Sequence, residues 1–185
     1  MAMFAGFRFR FSVNAFHVLS SMIAVFVIAI MLGAAGPAAA APEALVQQIA
    51  IGGDHGCALT LSGGVKCWGS NANGQVGDGS TTNRLAPVDV PDLSGGVTTI
   101  AAGAAHTCVL TRTGSVKCWG RNDNGQLGDG SSTASVTPVD VVGLGSGITA
   151  IAAGDSHTCA LTADGTVKCW GGNGFGQLGD GTAID

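Results

Sequence analysis

The chain has 185 residues, eight basic and twelve acidic, with a net charge of −4, 31 glycines and no tyrosine. So few Lys and Arg argue against a phosphate-backbone partner, because nucleic-acid binding draws on clustered cations; no nucleic acid is expected. The length suffices for one domain once the first forty residues are set apart.

Residues 1–21 carry Arg8 and Arg10 and no acid, and no charged residue lies between Arg10 and Glu43. From Met22 the chain reads MIAVFVIAIMLGAAGPAAAAP, an apolar run, then Gly33, Gly36 and Pro37, then alanines. A basic start, an apolar helix and small residues at Ala38 and Ala40 predict a signal peptide over residues 1–40, cut after Ala40. The alternative is an uncleaved anchor over residues 22–41, since about 20 apolar residues can cross a bilayer. The membrane is then met only through this segment. Either route makes the remainder secreted or extracytoplasmic. Residues 41–48 read as a short linker. What remains after residue 40 has six bases (Lys66, Arg84, Arg112, Lys117, Arg121, Lys168) against all twelve acids.

From residue 49 to residue 185 the chain repeats every 51 residues. His55, His106 and His157 keep this step, as do Cys57, Cys108 and Cys159. So do Cys67, Cys118 and Cys169, then Trp68, Trp119 and Trp170, then Asp78, Asp129 and Asp180. The repeat cores lie near residues 49–79, 97–130 and 148–181. No window after residue 48 has a 3.6-residue apolar period long enough for a helix. Short runs bounded by Gly, Asn, Asp and Ser predict strands instead. In one period these are PVDV (87–90), VTTIAAG (97–103), HTCVLT (106–111) and SVKCWG (115–120). The expected fold is all-β, with about four strands per repeat, the pattern of a propeller blade.

Each repeat holds a hairpin with two cysteines. Ala163-Asp164-Gly165 fits a three-residue loop in which a type I turn is followed by a left-handed glycine. Counting outward from Thr162 and Thr166, Leu161 faces Val167, Ala160 faces Lys168, and Cys159 faces Cys169. The same count around Gly63 pairs Cys57 with Cys67, and around Gly114 it pairs Cys108 with Cys118. Non-hydrogen-bonded partners stand about 4.5 Å apart at Cα, within disulfide reach. An exported chain with six cysteines is expected to oxidise them, giving three cross-strand disulfides. Metal binding is the rival reading, but zinc favours close pairs rather than C-x9-C, so no metal and no cofactor is expected.

The pattern G…H-T-x-A-L-T-x-x-G-x-V-x-x-W-G-x-N-x-x-G-Q-L-G-D-G…P-V-x-V resembles the repeat of the regulator of chromosome condensation (RCC1) family. The match covers roughly residues 49–185. The resemblance implies a β-propeller, usually of about seven blades. Three repeats fall below the 4–8 blades of a closed ring, so an incomplete ring is expected, with missing blades or an oligomer as its completion.

The histidines recur in every repeat without a recurring nucleophile or carboxylate beside them, whereas a catalytic group should be singular. They read as structural, and no catalytic residue is expected. GFGQLG (174–179) has no strand–helix context and reads as a chance match to a dinucleotide motif. NDNGQLGDG lacks the first acid and the closing glutamate of a calcium loop. Trp-Gly reads as packing between blades, with an acceptor for the indole N–H, and the Asp of G-D-G as an acceptor for turn amides. Positions where the repeats differ are candidate partner contacts: Asn73, Arg121, Asp123 and Phe175. The expected function is an exported, non-catalytic module that binds a protein partner. The alternatives are a secreted hydrolase inhibitor and, implied only by the founding family member, a guanine-nucleotide exchange factor.

Overall fold

The structure is a computed structural model and describes residues 45–185; the expected signal peptide and its cleavage point lie outside the described residues. Eleven strands follow one another: β1 (Val46–Ile51), β2 (His55–Thr60), β3 (Val65–Gly69), β4 (Arg84–Asp89), β5 (Val97–Ala102), β6 (His106–Thr111), β7 (Val116–Gly120), β8 (Ser135–Asp140), β9 (Ile148–Ala153), β10 (His157–Thr162) and β11 (Val167–Gly171). They form three antiparallel sheets: β1-β2-β3-β4, β5-β6-β7-β8 and β9-β10-β11. Each is an up-and-down meander, as a propeller blade requires. Blades one and two have four strands, and blade three has three among the described residues.

Three strands start before their expected positions. β1 starts at Val46, inside the stretch read as a linker, because Val46 occupies the place of Val97 and Ile148 one and two periods on. It pairs with Thr60 across a bulge. β4 begins at Arg84 rather than Pro87, and β8 at Ser135 rather than Pro138. Both are outer edge strands with an irregular register against β3 and β7. Proline is tolerated there because an edge strand has one unpaired side.

The hairpin register follows the turn. Gly63, Gly114 and Gly165 all have positive φ. Thr162 N–H donates to Thr166 C=O at 2.9 Å, and Gly165 N–H donates back to Thr162 C=O at 3.0 Å. Cys159 then stands opposite Cys169, and Cys57 and Cys108 pair likewise with Cys67 and Cys118. The sulfurs are bonded in all three pairs, each with Cα atoms 4.1 Å apart.

Two apolar cores lie between the blades rather than within them, since each sheet has two faces. Cys57, Leu59, Val65, Cys67 and Val76 of blade one meet Val97, Ile100, Val109 and Trp119 of blade two. One period on, Cys108, Leu110, Val116, Cys118 and Leu127 meet Ile148, Ala160, Ile151 and Trp170. Each blade therefore presents its disulfide and aliphatic residues forward and its tryptophan backward.

Gly52, Gly103 and Gly154 end the first strand of each blade because the histidine ring that opens the next strand occupies the space a Cβ would need. At Gly103 an added Cβ would also meet the Gly154 carbonyl of blade three. Gly103→Ala is expected to cost about 1–3 kcal/mol through overpacking, read as a lower denaturation midpoint in urea. An unchanged midpoint would contradict this close approach.

Candidate functional site

The recurring polar residues converge on the joints between blades. His55, at the start of β2, places Nε2 2.9 Å from the Thr107 hydroxyl of β6. Thr107 Oγ1 donates to the main-chain carbonyl of Gln75 at 3.0 Å. The Trp119 indole N–H donates to that same carbonyl at 2.9 Å. Because the threonine proton goes to the carbonyl, its oxygen must accept from His55, which puts the imidazole proton on Nε2. The second joint repeats this arrangement with His106, Thr158, Trp170 and the Gln126 carbonyl, at 2.9, 3.1 and 2.9 Å.

The His-x-Cys step of each joint, His55 with Cys57 and His106 with Cys108, lies on one strand face. Its members meet at the threonine of the next blade, with Cys57 Sγ 3.9 Å and Cys108 Sγ 3.8 Å from the respective hydroxyls. Among the described residues no three His, Cys, Asp or Glu side chains cluster as metal ligands would.

Both histidines of the joints are buried, and Nδ1 of each has no partner. Protonation would place a charge and an unmet N–H there. Burial accordingly lowers His55 from 6.5 to about 4, against a smaller opposing effect of Asp54. Burial lowers His106 to about 4 as well, aided by His55 and His157.

The loops after β3, β7 and β11 are each organised by one asparagine, whose role the sequence reading missed. Asn71 is fully buried. Its Nδ2 donates to Asp78, Ser80 C=O and Thr82 C=O at 3.2, 3.0 and 3.0 Å, while its Oδ1 accepts from Val76 N–H at 2.9 Å. Asn122 and Asn173 do the same in the other loops. The available signal was an asparagine held at constant spacing after Trp-Gly. The aspartates accept from turn groups as expected, for instance Ser80 N–H to Asp78 at 3.0 Å. Burial pushes the Asp78 carboxyl up, but bonds from Ser80 and Arg84 outweigh it and hold the group below its usual range.

The four candidate contact residues lie in these loops. Asn73 and Phe175 hold equivalent positions, and their main-chain N–H groups donate to Gln75 and Gln177 side chains at 2.9 and 2.8 Å. The Asn73 side chain is half-buried, whereas Phe175 is 98% exposed. Arg121 and Asp123 pair with each other at 2.8 Å on an exposed surface. The fold thus brings two of the four into contact and spreads the others over separate blades.

Two outcomes follow. Below about 6.5 the unfolded chain protonates His55 and His106, but the fold resists until about 4. The unfolded state then binds more protons, so stability falls as pH drops through this window. The loss from pH 8 to 5 should be about 2 kcal/mol per histidine, measured by urea denaturation, and a double His→Gln variant should lose most of that dependence. For the cysteines, Cys108→Ser with Cys118→Ser should cost about 3 kcal/mol, the loop-closure entropy of an 11-residue ring, read from the same curves; no loss would show that the staple is idle.

Comparison with known proteins matches this geometry. A model described as the regulator of chromosome condensation (RCC1) repeat matches residues 46–75, 97–126 and 148–177, and a second of the same description matches 62–110 and 113–161. The ultraviolet-B receptor UVR8 of Arabidopsis thaliana is 36% identical over 142 residues, 76% of this chain and 32% of that protein. The probable E3 ubiquitin-protein ligase HERC3 of Homo sapiens is 39% identical over 160 residues, 81% of this chain and 15% of that protein. This chain therefore spans a third or less of these relatives. Among solved structures, human WBSCR16 aligns with a TM-score of 0.67 and 30% identity, covering 76% of this chain and 37% of that one. The crystal structure of Kap60 bound to yeast RCC1 (Prp20) aligns with 0.66 and 25%, covering 76% and 35%. With its period, its blade topology and both repeat models in agreement, the chain belongs to the RCC1-repeat family.

Proposed function

We propose that this chain is an exported, non-catalytic protein-binding module whose partner reads the loops after β3, β7 and β11. One observation carries the reading. His55, His106, Thr107 and Thr158 are committed to the joints and Asn71, Asn122 and Asn173 to the turns, whereas the exposed Phe175 and the Arg121–Asp123 pair stand where the repeats differ. Phe175 supplies an exposed aromatic anchor of the kind that dominates protein interfaces, and the Arg121–Asp123 pair supplies orientation at the rim. The relatives support a binding role: the yeast protein was crystallised bound to Kap60, and a study of Prp20p describes its binding properties to Gsp1p and histones.

Export rests on residues 1–40 and is supported by three disulfides, which persist in oxidising compartments. Cleavage after Ala40 releases the domain, and retention of residues 22–41 would anchor it.

Tagged chain recovered from culture medium should begin at Ala41 and capture a partner protein. Phe175→Ala should weaken capture about 10-fold or more, in line with loss of an interface anchor, and Arg121→Ala by less. Retention of the chain in the cytosol, or capture unaffected by both substitutions, would overturn the reading.

A further inference from the structure

Blades one and two each have four strands, so the joint between them is complete on both sides. At its centre the hydrogen bonds run in one direction. His55 donates to the Thr107 hydroxyl, Thr107 donates to Gln75 C=O, and the Trp119 indole N–H donates to the same carbonyl. His55 is the member of this set that can take up a proton. Its other nitrogen, Nδ1, is buried and has no partner. Gly52 and the Gly103 carbonyl close that edge of the ring: a Cβ on Gly52 would lie 2.4 Å from Nδ1 and 2.5 Å from the carbonyl oxygen. A proton on Nδ1 would create a charge and an N–H that no group in the structure accepts, and an unmet buried donor is costly.

The surroundings do not offset that cost. Burial lowers His55 to about 4, and Asp54, which precedes it in its own turn, opposes this without overcoming it. From blade two the titratable group that interacts with it is His106, at the start of β6, which His55 itself helps to lower. Thr107, Gln75, Trp119, Gly52 and Gly103 carry no charge. No disulfide crosses the joint either. Cys57–Cys67 lies within blade one and Cys108–Cys118 within blade two. What spans it is apolar contact and a few hydrogen bonds, such as Gln48 to Ile100 C=O at 3.0 Å and Gly53 N–H to Ala104 C=O at 3.1 Å.

We propose that this joint is an acid-operated opening: protonation of His55 parts blade one from blade two while each cross-linked hairpin stays formed. Opening releases Thr107 and the Trp119 indole from the Gln75 carbonyl, and with them the loop after β3 that presents it. In repeat architectures each interface between units carries its own energy, so one interface can part before the units unfold. The sign follows from the proton count. The closed joint holds His55 neutral, whereas the open one lets it protonate near its ordinary value, so acid favours the open state. With a shift from 6.5 to about 4, the open population should rise about 70-fold between pH 7.5 and 4.5.

The test is hydrogen exchange of the full chain, its residues 1–40 left as the host processes them, followed by NMR between pH 7.5 and 4.5. Two sets of protons are compared: the Trp119 indole N–H, and the paired main-chain amides of β2–β3 and β6–β7. Each rate is divided by that of an unprotected group at the same pH. The Trp119 ratio should rise about 70-fold on going to pH 4.5. At every pH it should exceed that of the hairpin amides by about 10-fold or more, with an unchanged far-UV circular dichroism spectrum. His55→Gln keeps a donor for Thr107 but takes up no proton, so its Trp119 ratio should stay flat over the same range. Three results would overturn the proposal: Trp119 and the hairpin amides exchanging together at every pH, a wild-type Trp119 ratio that does not change, or a pH dependence that persists in folded His55→Gln. The first two are read on the wild-type chain, so the proposal stays open to refutation if the variant does not fold.

Discussion

Each joint between blades depends on one main-chain carbonyl. Gln75 C=O takes a hydroxyl from Thr107 and an indole N–H from Trp119 of the next blade, and Gln126 C=O takes the same pair one period on. A carbonyl has two lone pairs, and at these sites both are used in a buried setting where an unmet group is costly. The geometry is demanding. The carbonyl must be presented by the loop after the third strand, and that loop is shaped from within by a buried asparagine. The threonine must also be aligned by a histidine across the joint, and that histidine needs a glycine behind it. One acceptor thus ties together His, Thr, Trp, Asn and Gly, residue types that otherwise share no chemistry.

The disulfides serve the same joint. Read along one hairpin, Cys57–Cys67 fastens β2 to β3. Read across the structure, it is also part of the apolar surface on which Trp119 and Ile100 of the next blade rest. Cysteine sulfur is polarisable and apolar when oxidised, so one bond both limits the freedom of the unfolded hairpin and provides contact area. This double use accounts for its position on the forward face, where an aliphatic pair would fill similar volume without the cross-link.

Serial chemistry and singular chemistry separate cleanly here. His55 and His106 recur at the 51-residue period and are absorbed in the joints between blades. Burial drives the two enclosed histidines towards the neutral form, which suits a fixed donor at Nε2. Phe175 and the Arg121–Asp123 pair, where the repeats differ, sit in loops on the surface. Fold alone does not assign function.

The sequence by itself determined the all-β class, the 51-residue repeat, the hairpin register and the cysteine partners. These are local or periodic properties. A left-handed glycine sets the turn, alternation sets which residues face each other, and a 51-residue step identifies equivalent positions from residue 49 onward. Only the tertiary structure decided which face of each blade the disulfide lies on, what accepts the tryptophan N–H, why the histidine needs its glycine, and what the asparagine after Trp-Gly does. Those contacts join residues 32 to 52 apart, or bend a loop back on a single amide. No spacing rule encodes them, because they arise from how two twisted sheets stack once each has formed.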